Sequence, residues 1–102
     1  MPAYMLFIRE GAVIDPAALA IYSAANRSNA GTFVEKYKLK PLSVYGAIEA
    51  FEGDAPDGIV MLEFPTSEDA RAWYDSPEYQ AAIPHREKGA SYRALLIEGF
   101  QA

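Results

Sequence analysis

The sequence predicts an α+β domain whose strands and helical regions follow the order β-α-β-β-α-β. Four runs of strand length are rich in aliphatic and aromatic residues, at residues 4–9, 42–52, 59–64 and 92–98. Helix-start signals follow the first and third of these runs. This order is the ferredoxin-like βαββαβ plan, a four-stranded antiparallel sheet with helices on one face. We expect residues 1–102 to form a single domain of this kind.

The first helical region is predicted to begin at Asp15-Pro16. Asp15 is a suitable N-cap, and Pro16 suits the first helical position, where its missing N–H costs nothing. Asn29 and Gly31 weaken the helical pattern further along. The sequence therefore leaves two alternatives open, namely one long bent helix or two helices separated near residues 29–31.

The second helical region carries two start signals. Thr66 or Ser67 is expected to cap a first helix, and Ser76-Pro77 is expected to start a second one. The two helices would therefore meet at a corner. Pro84 is expected to kink the second helix or to end it near residue 83, because proline disfavours helical geometry before it.

The second strand is the least regular of the four. Residues 42–52 alternate between two sets of side chains, which predicts a strand over this whole run. Gly46 lies in the middle and suggests a β-bulge or the close approach of another backbone. Residues 53–58 are rich in Gly, Pro and Asp and predict a turn.

Composition excludes several classes of function. A net charge of −5 argues against nucleic acid or an anionic membrane as partner, because both require a basic face. No apolar run approaches the roughly 20 residues that cross a bilayer, and the N-terminus lacks a signal-peptide pattern. The absence of cysteine excludes disulfides and thiolate catalysis and suits the cytoplasm. With one histidine, we expect neither a metal site nor a bound cofactor.

The predicted strands are apolar on both faces, which bears on assembly. Met5 and Phe7 alternate with Leu6 and Ile8, so both sides of the first strand are hydrophobic. Helices can cover only one side of the sheet. The other side would be an exposed apolar patch of a size that monomers seldom tolerate. We therefore predict a two-fold homodimer that pairs sheet face on sheet face.

Several motifs together resemble the family named domain of unknown function 1330 (DUF1330), a group of small bacterial proteins. They are Asp15-Pro16, Glu52-Gly53, Phe64-Pro65, the run at residues 70–79, and Arg86. The resemblance implies the dimeric α/β-barrel form of the ferredoxin-like fold and supplies no reaction. The wider superfamily it implies includes cofactor-free monooxygenases, isomerases, haem-handling enzymes and amino-acid-sensing domains. One fold hosts many functions, so the likeness indicates only a pocket between helices and sheet.

Four residues are candidates for binding a small molecule. Tyr22, Trp73 and Tyr79 can line an apolar pocket, or they can be core residues whose polar atoms bond to the backbone. Arg86 can hold a carboxylate with two parallel N–H bonds. Its structural alternative is an ion pair with a nearby glutamate, for which the sequence offers Glu52, Glu63 and Glu78.

Two residues are candidates for catalysis. Glu63 lies on an otherwise apolar strand, where burial would raise its pKa and make it an acid or base. Its structural alternative is a salt bridge to Arg9 or Arg93 on a neighbouring strand. His85 suits a general base because its ordinary pKa lies near neutrality, or it is a solvated loop residue.

The sequence supports two hypotheses of different kinds. The first is a protein that binds, or transforms without a cofactor, a small carboxylated or enolic metabolite in a cleft of each protomer. The second is a non-enzymatic dimeric module that senses a ligand or has a structural role. An enclosed cleft with Arg86 and Tyr79 directed into it favours the first, whereas a filled core at that place favours the second.

Overall fold

The chain adopts the predicted plan in the computed structural model, which describes residues 1–100. Its elements, in chain order, are β1 (Ala3–Arg9), α1 (Pro16–Tyr37), β2 (Lys40–Val44), β3 (Gly58–Phe64), α2 (Ser67–Tyr74), α3 (Pro77–Gly89) and β4 (Tyr92–Glu98). The strands form an antiparallel sheet in the order β2-β3-β1-β4. The predicted α+β, ferredoxin-like fold is therefore confirmed.

Helix α1 is continuous, which decides between the two alternatives left by the sequence. The side chain of Asp15 caps its start by accepting a hydrogen bond from the backbone N–H of Ala18. Asn29 does not break the helix, because its side-chain amide donates to the carbonyl of Ala25, 3.1 Å away and one turn earlier. The helix ends at Lys38, whose backbone is left-handed (φ 59°).

Helices α2 and α3 meet at the predicted corner. Thr66 caps α2, and its hydroxyl accepts from the N–H of Asp69. Ser76 joins the two helices, because its hydroxyl donates to the carbonyl of Trp73 (2.7 Å) and accepts from the N–H of Tyr79 (3.3 Å). The expectation that Pro84 ends the helix is wrong, since α3 continues through it. An interior proline removes one backbone N–H and crowds the carbonyl four residues earlier, so the kink considered for Pro84 stays a prediction.

The prediction for the second strand is wrong beyond its first residues. β2 stops at Val44, because Tyr45 takes a left-handed backbone conformation (φ 55°) that turns the chain out of the sheet. The alternating pattern up to residue 52 therefore lies outside the sheet. Gly46 does mark a close approach, but to a side chain, since a Cβ there would lie 2.9 Å from the Ser43 hydroxyl. The register irregularity of β2 precedes Ser43.

The two faces of the sheet differ in how well they are covered. On the helix side, Met5 and Phe7 are buried in a core that also contains Phe33, Tyr37, Leu62, Phe64, Trp73 and Tyr79. The other side has no cover among residues 1–100. There Leu6 lies between Met61 and Leu95 on the neighbouring strands, and Leu95 is 46% exposed. The chain is accordingly flat, measuring 34 × 33 × 17 Å.

None of the helices within residues 1–100 has the length and apolar character needed to span a bilayer.

Candidate functional site

An open cleft of about 370 Å³ lies between α1 and the β2 side of the sheet. One rim is a stripe along α1, formed by Ser23, Arg27, Ala30 and Val34. These positions recur every three to four residues and so share a helix face. The opposite rim is formed by Pro41, Val44 and Tyr45. Deeper in the cleft lie mostly apolar side chains, among them Phe7, Phe33, Val60, Leu62, Trp73 and Tyr92.

The cleft exists because α1 packs mainly against α3. Gly89, the last residue of α3, allows this close contact, since a Cβ there would lie 2.5 Å from the side chain of Leu19. The carbonyl of Gly89 also accepts hydrogen bonds from the N–H groups of Ile14 and Asp15 (2.7 and 3.1 Å). The start of α1 is thereby fixed to α3, and space remains between α1 and strands β2 and β3.

Arg86 supplies a buried positive charge to this cleft. The residue is 6% exposed and lines the cleft from α3. Its guanidinium lies over the rings of Phe7 and Tyr92, with the central carbon 5.4 and 5.8 Å from the ring centroids. Within residues 1–100, its Nε and Nη1 atoms have no hydrogen-bond acceptor. The predicted ion pair with Glu52, Glu63 or Glu78 is not formed by any of the described residues.

The charge of the cleft is opposite to that of the chain. Arg27 and Arg86 line it, and among the described residues no Asp, Glu or His does so. The chain as a whole carries a net charge of −5. A positive, mostly apolar cleft in an acidic protein favours a ligand that is itself anionic and largely apolar.

Four tyrosines add hydroxyl groups in two pairs. The hydroxyls of Tyr22 and Tyr79 are 2.7 Å apart, and those of Tyr45 and Tyr92 are 2.5 Å apart. Burial raises the pKa of Tyr22, Tyr45 and Tyr79 above the ordinary value. The neighbouring hydroxyl of Tyr92 raises the pKa of Tyr45 further, and that of Tyr22 raises the pKa of Tyr79 further. These three side chains are therefore neutral at physiological pH. They can donate or accept hydrogen bonds but cannot balance the charge of Arg86.

The position of Tyr45 depends on Gly58 across the strand pair. A Cβ on Gly58 would lie 2.9 Å from the ring of Tyr45, so glycine is needed to accommodate that ring. The N–H of Tyr45 donates to the carbonyl of Ile59 (2.9 Å). Together with the hydroxyl bond to Tyr92, this contact stabilises a left-handed conformation that is uncommon for a tyrosine.

The structure brings together the residues that the sequence singled out for binding. Tyr22, Trp73 and Arg86 line the cleft directly. Tyr79 is completely buried behind them, bonded to Tyr22 and with its ring centroid 4.1 Å from that of Trp73. Trp73 also belongs to the core, because its ring packs against Phe33, Phe64 and Phe7. The backbone partner expected for it in a core role is not found among the described residues, since its indole Nε1 has no acceptor there. Its binding role stays a prediction.

The two candidate catalytic residues do not line the cleft. Glu63 pairs with Tyr4 and Lys40 in the register, which places it on the uncovered face of the sheet. His85 is half-buried within α3, so the loop position considered for it is wrong. The salt bridge considered between Glu63 and Arg93 is also absent, because Arg93 pairs with Glu10. Catalytic roles for Glu63 and His85 stay predictions, and the cleft geometry does not connect them with Arg86.

Sequence reasoning missed Tyr45, Tyr92 and Phe7 as cleft residues. Tyr45 was assigned to the interior of a longer strand, and only its φ angle reveals that it turns toward Tyr92. Tyr92 and Phe7 lie on neighbouring strands and contact the same guanidinium. Pairing the first and last strands of the predicted plan would have placed them side by side.

Comparison with known proteins gives the family. The model for "Domain of unknown function (DUF1330)" matches residues 2–100. The chain belongs to the DUF1330 family. The comparison with curated proteins gave no match.

Several solved structures have the same fold. A protein of unknown function from Rhodopseudomonas palustris is 18% identical, with 99% of this chain and 84% of that one covered and a TM-score of 0.68. A dimeric ferredoxin-like protein of unknown function from Thermobifida fusca is 15% identical (95% and 90% covered, TM-score 0.62). SnoaB, a cofactor-independent oxygenase from Streptomyces nogalater, is 11% identical (99% and 93% covered, TM-score 0.51). These similarities show the fold that the DUF1330 chain shares with them.

Proposed function

We propose that this DUF1330 protein binds a small, largely apolar molecule carrying a carboxylate or enolate group, with Arg86 contacting the anionic oxygens. The observation that carries the proposal is the buried Arg86 of the cleft lining, whose Nε and Nη1 atoms have no acceptor among the described residues. A buried charge without a partner is costly by several kcal/mol. An anionic ligand would remove that cost by pairing with the charge, and the neutral tyrosines cannot do so.

The test compares carboxylate binding to the native protein and to an Arg86→Met variant. We expect decanoate to bind the native protein in a calorimetric titration, and we expect Arg86→Met to weaken this binding at least about thirtyfold, since loss of one partner of a buried ion pair costs about 2–5 kcal/mol. Arg71→Met is the matched control, because Arg71 is exposed on α2 and does not line the cleft. Equal affinity of all three proteins would contradict the proposal.

Cofactor-independent oxygenation is a second candidate, suggested by the similarity of fold to SnoaB. Arg86 favours it in one respect, because a cation beside a bound enol or phenol lowers that group's pKa and stabilises the anion. A base among the described cleft residues is lacking, so the bound molecule would have to lose its proton to water. With 2-naphthol as probe, we expect the phenolate absorbance to appear at lower pH in the native protein than in Arg86→Met. Oxygen uptake with the same probe would distinguish an oxygenase from a binding protein.

We also infer that two copies pair through the uncovered face of the sheet. The support is the exposure of Leu95 and Ile97 (46% and 55%) beside the half-buried Leu6 and Met61. A contiguous apolar patch of this kind indicates an interaction surface. The Thermobifida fusca protein of the same fold is described as dimeric, which agrees with this inference.

A further inference from the structure

The cleft differs in polarity between its two ends. At one end lie Arg86 and the hydroxyls of Tyr22, Tyr45 and Tyr92. At the other end the lining is apolar and consists of Phe33, Val34, Leu39, Pro41 and Leu62. Arg86, the buried cation of the lining, lies at the first end, whereas Arg27 is exposed on the α1 rim between the two ends.

The strand register gives the direction of this polarity along the sheet. Tyr92 pairs with Arg9 at the end of β1, whereas Leu62 pairs with Met5 near its start. Four residues of strand separate these two levels, which corresponds to about 13 Å. The polar and apolar ends are therefore separated along the strand direction.

Helix α1 shows the same order of polar and apolar lining residues along its own axis. Tyr22 lies at the polar end, where its hydroxyl meets that of Tyr79, and Val34 lies at the apolar end. Twelve residues of helix correspond to about 18 Å. A volume of about 370 Å³ spread over such a length leaves a narrow cross-section.

We propose that the ligand is an elongated amphiphile with a single acidic group and an unbranched apolar body, such as a medium-chain carboxylate. The acidic group contacts Arg86, and the chain runs along α1 toward Phe33 and Leu62. A second acidic group would be unfavourable, because Arg86 is the buried cation of the lining and Arg27 is on the exposed rim. The inference rests on the proposed function and specifies the class of ligand for that cleft.

The first experiment measures the affinities of hexanoate, decanoate and decanedioate for the native protein by calorimetry. We expect affinity to rise with chain length by up to about fourfold per added methylene, as burial of each CH₂ predicts. Decanedioate should bind at least tenfold more weakly than decanoate, because its second carboxylate would enter the apolar end. Equal affinities for hexanoate and decanoate, or for decanoate and decanedioate, would overturn the inference.

The second experiment narrows the cleft midway with Ala30→Phe. Ala30 is exposed on the α1 rim, so the larger side chain need not disturb the core. We expect this variant to lose most of the preference for decanoate over hexanoate while hexanoate binding persists. Ala24→Phe is the control, since Ala24 is exposed on the same helix and does not line the cleft. A full decanoate preference in Ala30→Phe would also overturn the inference.

Together with the Arg86→Met titration, these two experiments separate this inference from the proposed function. If Arg86→Met weakens hexanoate and decanoate equally but the native protein does not discriminate between them, carboxylate binding stands and the elongated ligand is excluded. If none of the three carboxylates binds the native protein, both proposals fail together.

Discussion

Leu95→Glu is expected to convert the proposed dimer to a monomer at micromolar concentration. Leu95 lies beside Leu6 on the uncovered sheet face and is 46% exposed in the protomer. A charge at this position is solvated in the monomer, so the protomer should still fold. In the dimer the same charge would be buried against an apolar surface without a partner, which costs several kcal/mol. Sedimentation velocity of the native protein and the variant measures the change in mass.

The control for this experiment is Ile21→Glu. Ile21 is 51% exposed and lies on α1, so the two substitutions introduce the same charge at nearly equal exposure but on different faces. We expect Ile21→Glu to remain dimeric. A native protein that sediments as a monomer would contradict sheet-face pairing, and so would a Leu95→Glu variant that remains dimeric.

Residues that cap or start helices made most of the fold predictable from the sequence. Asp15 and Ser76 have side-chain oxygens that cap helices, and each is followed by a proline that suits the first helical turn. Such signals act over four residues, so they can be recognised without tertiary information. The strand pattern of β1 was equally clear, because Met5 and Phe7 alternate with Leu6 and Ile8 on two apolar faces.

The errors arose where tertiary contacts override the local pattern. The alternation after Val44 is typical of a strand, but the conformation of Tyr45 depends on Gly58 and Tyr92, which lie far away in sequence. The sequence leaves open whether Pro84 kinks α3 or ends it, yet the residues after it remain helical as far as Gly89, whose carbonyl bonds to the start of α1. Neither contact is visible in a local window of sequence.

The candidate site was predictable only in part, because local spacing along the helices places some of its residues and not others. Trp73 lies in the last turn of α2 and Tyr79 in the first turn of α3, so local spacing places these two at the corner. Arg86 lies in the last turn of α3, about two turns beyond Tyr79 on the same side of the helix. Glu63 is a candidate because it is a carboxylate on an apolar strand, and that argument does not consider which face of the sheet its side chain is on. Strand alternation counted from the buried Leu62 and Phe64 puts Glu63 on the opposite face.

Arg86→Met is expected to raise the free energy of unfolding of the unliganded protein by about 1–3 kcal/mol, because it replaces a buried charge that lacks an acceptor with an apolar side chain. In the native protein, the contacts of the Arg86 guanidinium with the rings of Phe7 and Tyr92 offset part of the cost of burying the charge, by about 0.5–2 kcal/mol each. Chemical denaturation of the native protein, Arg86→Met and the exposed control Arg71→Met measures the difference.

Adding decanoate should shift the difference in stability toward the native protein by about 2 kcal/mol. At a concentration one hundred times its dissociation constant, a ligand stabilises the native protein by about 2.7 kcal/mol, whereas a variant that binds about thirtyfold more weakly gains only about 0.9 kcal/mol. The stability advantage expected of unliganded Arg86→Met should therefore shrink or reverse, and Arg71→Met should follow the native protein. An unliganded Arg86→Met less stable than the native protein would mean that the guanidinium stabilises the fold itself. Burial of Arg86 would then need no ligand to explain it, and the cleft would lose the main reason to assign it an anionic occupant.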